Sequence, residues 1–188
     1  MITGLVLAAG AGRRLGRPKA ELLLGGRRLL DRAIDTLRAG GCDEVVAVLR
    51  AGQQPGSARL VINPDPDEGM GGSLRCGLAA LTAESQACVL LLVDLPAVRA
   101  GEVAELIQVY RQGASLVAAR RAGQRSHPVL IDRRWYPDIV AAAVGDQGGR
   151  AFFAGHLDDT AFIDYPDPIS DIDTEADLAR AERELGAG

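Results

Sequence analysis

Apolar runs of strand length alternate along the chain with stretches whose apolar residues recur at helical spacing. Ile2–Ala8 (ITGLVLA) reads as a buried strand that leads into a glycine-rich loop through Arg17. Leu30, Ala33, Ile34 and Leu37 then share one face of a helix over Leu29–Ala39, which Gly40-Gly41 stops. Glu44–Leu49 (EVVAVL) predicts a second strand and Arg59–Ile62 a short third. After a loop over Asn63–Gly72 dense in Pro, Asp and Gly, Ser73 is placed to cap a helix reaching Leu81. Ala87–Val93 (ACVLLLV) is the most apolar run, which predicts a central strand buried on both faces. Val103, Leu106, Ile107 and Tyr110 mark a helix over Gly101–Gln112. Strands at Ser115–Arg120 and Pro128–Ile131 follow, around an RAGQRSH turn. Helices after Arg133 and after Gly148, a strand at Thr160–Asp164 and a helix from Thr174 complete the pattern.

Strand–helix alternation of this kind predicts an α/β fold with a mostly parallel sheet covered on both sides. A ligand then binds at the carboxyl ends of the strands. A length of 188 residues predicts one domain over residues 1–188, with a core that needs no disulfide or metal staple. Aromatic residues are only 4%, too few for the stacking platforms that bind single-stranded nucleic acid. A net charge of −4 argues against a general nucleic-acid or anionic-membrane binder. Cys42, Cys76 and Cys88 are odd in number and lack CxxC spacing, so they read as small core residues in a reducing cytoplasm. No zinc site follows from them. The apolar runs are strand-sized, so no membrane span is expected and a cytoplasmic location is.

Charge sharpens one segment. Of 21 basic residues, twenty are arginine and one is lysine, Lys19, in the loop Ala8–Lys19 (AAGAGRRLGRPK) directly after the first strand. Glycines let backbone N–H groups turn toward an anion, and four basic side chains within seven positions add charge, so the loop is a phosphate-site candidate. Two well-known glycine loops do not fit. The dinucleotide fingerprint needs glycine where Leu15 stands, which argues against a nicotinamide dehydrogenase. The P-loop needs Gly-Lys-Ser/Thr, but Pro18 precedes the lysine and Ala20 follows it.

Asp94 follows the most apolar strand, where a carboxylate suits magnesium, although an Asp shortly before Pro96 is also an ordinary turn. Asp171-Ile172-Asp173-Thr174-Glu175 offers a second carboxylate, or merely a helix cap at Asp173 or Thr174. Two carboxylates with a triphosphate are what magnesium prefers, since it keeps waters and needs few protein ligands. Glu68–Arg75 is a glycine-rich helix entry whose backbone is open to a nucleobase and ribose. The loops Gly123–Pro128 and Gly145–Arg150 mix glycine with polar groups and read by composition as surface turns. His127 by itself reads as structural, since no second catalytic partner stands near it in sequence. No nucleophile constellation is present.

Six blocks together resemble the MobA-like NTP transferases. They are LAAGAGRRLGRPK (Leu7–Lys19), GMGGSLRCGL (Gly69–Leu78), VDLP (Val93–Pro96), RSHPVLI (Arg125–Ile131), GDQGGR (Gly145–Arg150) and DIDTEADL (Asp171–Leu178). All six together, especially RSHPVLI and GDQGGR, are similar to the branch of molybdenum cofactor cytidylyltransferases, the MocA-like proteins. The resemblance implies a Rossmann-like three-layer α/β/α sandwich of the nucleotide-diphospho-sugar transferase type. It also implies transfer of a nucleoside monophosphate from an NTP with release of pyrophosphate. Carried onto this chain, Leu7, Ala8, Ala9, Gly10 and Gly12 would contact base and ribose, with Gly71, Gly72 and Ser73 lining the nucleoside. Arg13 and Lys19 would hold the triphosphate, and Asp94 and Asp173 would bind Mg²⁺. Lys19, Arg13 and Asp94 would carry catalysis, while His127, Pro128, Asp146 and Gly148 would face the acceptor. The implied partners are CTP, molybdopterin and a molybdoenzyme client, with GTP or another phosphorylated acceptor as the alternative. A non-catalytic nucleotide-binding accessory protein for molybdoenzyme assembly is the rival of a different class. Three positions depart from the family: Gly71 and Gly72 replace serines, and Glu21 replaces a small or apolar residue. Ala9 resembles the cytidine-using branch.

Overall fold

The computed structural model describes residues 1–186. In chain order the strands are β1 (Ile2–Leu7), β2 (Leu23–Leu24), β3 (Arg27–Arg28), β4 (Glu44–Leu49), β5 (Arg59–Ile62), β6 (Ala87–Leu92), β7 (Leu116–Arg121), β8 (Gln124–Asp132) and β9 (Thr160–Asp164). The helices are α1 (Leu29–Ala39), α2 (Met70–Ala79), α3 (Ala100–Arg111), α4 (Tyr136–Ala142), α5 (Arg150–Gly155) and α6 (Glu175–Gly186). Strands β2 and β3 form a separate small hairpin; the other seven form one sheet in the order β5-β4-β1-β6-β8-β7-β9. Only β8 runs against its neighbours. The expected α/β class and Rossmann-like three-layer sandwich are therefore what the chain adopts.

Alternation within each strand feeds two cores. Ile2, Val6, Val45 and Leu91 pack with α1, α3 and Leu178 of α6 on one face. Leu5, Leu7, Val46 and Leu90 pack with Leu74 and Leu78 of α2, Ile139 of α4 and Phe152 and Phe153 of α5 on the other. Strand β6 lies fourth of seven and is buried at all but its last residue, as its unbroken apolar run requires.

Beside the β2–β3 hairpin, which the apolar pattern does not predict, two elements differ from expectation. Helix α2 starts at Met70, so Ser73 sits buried inside its first turn and is not its cap. Two successive glycines there hide the helical signal, because glycine is a poor helix former. Strand β8 begins at Gln124, four residues before the expected Pro128. Ala122 and Gly123, both at positive φ, make a two-residue hairpin turn between Arg121 and Gln124. The pairing with β7 shifts between Ala118 and Ala119 and passes over His127 and Pro128, a bulge suited to a residue with no N–H to donate. The consequence is functional. Because β8 runs antiparallel, its first residues lie at the edge where β1, β4 and β6 end.

Candidate functional site

Leu7 and Leu92, the last residues of β1 and β6, are direct neighbours in the sheet. The glycine loop and Asp94 therefore leave the sheet side by side. The loop is tightly turned. Gly12 has φ +60°, and a Cβ there would stand 1.9 Å from the Arg17 carbonyl oxygen, so only glycine fits. Leu15, at the position where the dinucleotide fingerprint wants glycine, is buried and pins the loop to the core. Lys19 begins a single 3₁₀ turn that aims its side chain inward.

The Lys19 Nζ donates to Asp94 Oδ2 at 2.6 Å and also to Asp173 Oδ1. Burial pulls the ammonium toward neutrality, but the charge of Asp94 and the bonds to both carboxylates outweigh it, so its pKa is raised. Asp173 is delivered across the molecule. The chain returns from the outermost strand β9, and the Ile172 N–H donates to the Asp94 carbonyl at 3.0 Å, with Ile172 itself buried. The helix cap expected at Asp173 or Thr174 falls to Thr174. Its hydroxyl accepts from the Asp177 N–H at 3.2 Å while the Asp177 carboxylate accepts from the Thr174 N–H at 2.9 Å. Asp173 is left free to face Lys19.

Around this triad lies a cleft of about 360 Å³ lined by Leu7, Ala9, Gly10, Gly12, Arg13, Lys19, Gly69, Ser73, Asp94 and Asp146 among others. A second cavity of about 390 Å³ shares Leu7, Met70, Leu92, Asp94 and Asp146 with it and extends to Arg125, His127, Gln147, Gly149 and Arg150. Asp94 and Asp146 thus stand on the wall common to both. Arg13 is at the mouth, its side chain 80% exposed and 3.5 Å from Asp67. Arg50 also reaches Asp67 at 3.1 Å and donates to the Ala9 carbonyl at 3.3 Å, bracing the glycine loop. Neither Arg50 nor Asp67 stands out in sequence: one arginine among twenty and one acid in a Pro/Asp-rich loop carry no spacing signal.

Several candidate residues lie off the cleft wall. Ala8 is buried in the core, with its N–H bonded to the Val48 carbonyl. Gly71 and Gly72 are buried in α2, and at Gly71 a Cβ would come within 2.9 Å of the Ala143 backbone. The serine usual in the family does not fit against this close approach. Ser73 keeps its place on the wall, with its hydroxyl accepting from Asn63 Nδ2 at 3.0 Å. Pro128 is buried in β8, and Gly148 packs against Met70. Glu21 turns toward Arg28, 3.5 Å away, and stays out of the cleft. His127 lines the second cavity with Nδ1 3.4 Å from the Leu90 carbonyl. Burial, with the Arg125 charge adding to it, pushes its pKa down to about 4, so the ring is neutral at physiological pH.

Among the described residues, no group of three or more His, Cys, Asp and Glu side chains converges as a metal cage. No helix among them is long and apolar enough to cross a membrane. The pair Asp94 and Asp173 already holds one cation, the Lys19 ammonium. Such a donor set fits magnesium, which takes one or two carboxylates and completes its shell with water and phosphate.

Residues 4–160 match the model of the MobA-like NTP transferase domain. The nicotine blue oxidoreductase of Paenarthrobacter nicotinovorans is 37% identical over 195 residues, covering 95% of each chain. The molybdenum cofactor guanylyltransferase of Rhizobium meliloti is 31% identical over 198 residues, covering 95% of this chain and 89% of its own. Among solved structures, Rv0371c of Mycobacterium tuberculosis in complex with manganese superposes with a TM-score of 0.80 at 26% identity, covering 97% of this chain and 98% of that one.

Proposed function

Because the chain belongs to the MobA-like NTP transferase family, we propose that it is a magnesium-dependent nucleotidyltransferase acting on a phosphorylated acceptor of the molybdopterin type. The observation that carries this reading is the meeting of Lys19, Asp94 and Asp173 beside the glycine loop, where two adjoining cavities share the Asp94 wall. One cavity suits the NTP, with its base and ribose near Ala9, Gly10 and Ser73 and its phosphates toward Lys19 and Arg13. The other suits the acceptor, beside His127 and Asp146.

An acceptor phosphate is already anionic, so no strong base is needed and a neutral His127 suffices as a wall. Charge collects on the departing pyrophosphate, where Lys19 and Arg13 stabilise it; catalysis is positioning and electrostatics. Asp94 and Asp173 would hold Mg²⁺, which supplies further stabilisation of phosphate charge when bound. Binding the NTP with its metal requires Lys19 to exchange a carboxylate for a phosphate oxygen. The named guanylyltransferase relative favours GTP as donor, in place of the CTP that Ala9 implied.

The test is pyrophosphate release with each of four NTPs, Mg²⁺ and molybdopterin. Release with GTP above the others is expected; no release with any donor overturns the reading. One observation favours a second reading: the relative named nicotine blue oxidoreductase is more identical to this chain than the guanylyltransferase above is. In that reading the same two clefts hold a nicotinamide reductant and a flat acceptor. Oxidation of NADH or NADPH in the presence of a quinoid dye, without pyrophosphate release, is its mark.

A further inference from the structure

Most arginines around the clefts pair with an acid, but two cations there stand apart. Arg125, on the first turn-side residues of β8, and Arg150, at the start of α5, both line the second cavity. Both also line a third, of about 750 Å³, that opens on its far side. Among the described residues neither makes a salt bridge or a side-chain hydrogen bond to an acid. Asp94, Asp146 and Asp171 line the same second cavity without pairing to them. The neighbouring Arg120, by contrast, is neutralised by Asp164 at 2.6 Å. Arg125 is partly buried and stands over the Phe153 ring, its guanidinium carbon 4.7 Å from the ring centre. Burial and then the like charge of Arg150 pull its pKa below the ordinary guanidinium value, so the two cations feel each other. The Phe153 ring face offsets part of the cost of holding like charges together, and an anion between the two guanidiniums offsets more.

We propose that Arg125 and Arg150 form the seat for the acceptor's phosphate monoester, at the junction of the reacting cavity and the outer one. Phosphate suits paired guanidiniums, which present parallel N–H donors to its oxygens. From that seat an acceptor phosphate oxygen faces the cavity that Asp94 also lines. The new bond forms between this oxygen and the α-phosphorus, and the bond from the α-phosphorus to the bridging oxygen breaks. Its electron pair leaves with pyrophosphate, and no proton need move. The organic body of the acceptor lies in the outer cavity against the exposed Leu157 and the half-buried Phe162, whose apolar surfaces suit a flat ring system. The inference rests on the transferase reading and assigns its acceptor side.

Calorimetric titration with phenyl phosphate, alongside a separate titration with GTP and Mg²⁺, tests it. Wild-type protein is expected to bind phenyl phosphate, and Arg125→Gln and Arg150→Gln each to weaken it at least ~10-fold, the worth of one charge-assisted contact. GTP affinity should stay within about twofold in both, and Arg111→Gln, which removes the same charge from the end of α3, should change neither. Should Arg125→Gln fail to fold, Arg150→Gln carries the test, because Arg150 is exposed. No binding by wild type, undiminished binding in the variants, or loss through Lys19→Ala in their place overturns the seat. Absence of binding by wild type of GTP and of each of the other three NTPs with Mg²⁺ overturns the transferase reading instead.

Discussion

Lys19 is the one lysine against twenty arginines, and its ammonium is shared by Asp94 and Asp173. An arginine bias by itself reflects coding and carries no chemistry. Against it, a compact ammonium between the two carboxylates beside the glycine loop is a specific choice, since a planar guanidinium fills that space differently. Lys19→Ala and Asp94→Ala should each lower turnover at least ~100-fold, the scale of losing one electrostatic stabiliser. Lys19→Arg should recover little of it. Pyrophosphate release under saturating NTP measures all three, and near-wild-type rates in both alanine variants would mean the reacting centre lies elsewhere.

His127 yields a second residue-level expectation, through pH. Its folded pKa, about 4, lies below that of a free imidazole, so the unfolded chain takes up the proton first as the pH falls. The stability this ring contributes is complete above about pH 6.5 and drains away toward about 4, by up to about 3 kcal/mol. Urea unfolding across that window should show a falling midpoint in the wild type and a flatter profile in His127→Gln. A wild-type midpoint that does not fall on acidification would contradict the half-buried, neutral ring. Lys19 stands out in sequence by its place in the glycine loop, whereas Asp94 and Asp173 read equally as a turn and a helix cap, and only the family blocks set the three together. Arg125 and Arg150 do not stand out, because their meaning lies in lacking a partner, which only the fold reveals.

At the scale of elements, local pattern was enough wherever one face of a helix or one whole strand is apolar. Helix α1, strands β4 and β5 and strand β9 all fall at the bounds their periodicity predicts. It failed at the first turn of α2, where Met70-Gly71-Gly72 has no helical signal of its own and is held by what packs on it. That packing is close: Gly71 meets the Ala143–Val144 backbone, bringing α2 onto the segment that carries Asp146. Gly71→Ser should therefore push that segment away and cost about 1–3 kcal/mol, the usual range for overpacking. Chemical denaturation measures the cost. A serine accepted without loss would mean that the 143–148 segment yields freely and does not fix the shared wall of the two cavities.

Across the whole molecule, the feature hardest to foresee is the return of the chain from the outermost strand to the site at its centre. The DIDTEADL block marks its end at Asp173, but no local pattern predicts the path; tertiary contacts along residues 165–173 hold it. Arg121 on β7 is 6% exposed and pairs with Glu102 of α3, 4% exposed, at 2.5 Å. The same guanidinium donates to the Asp167 carbonyl at 3.0 Å and to the His127 carbonyl at 2.9 Å. One buried cation thus ties α3, β8 and the returning segment together, a few residues before Ile172 and Asp173 reach Asp94. Glu102→Ala strands that charge and should cost about 3–5 kcal/mol. Adding Arg121→Met to Glu102→Leu removes both charges and should recover most of the loss, since apolar side chains of similar volume replace such pairs well. Turnover should not recover with it, because a methionine side chain has no N–H to hold the Asp167 carbonyl, and Asp173 loses its anchor upstream. Melting temperature and pyrophosphate release read on the same double variant separate the two roles. If both return to wild-type values, the ion pair serves the core alone and the returning segment positions Asp173 without it.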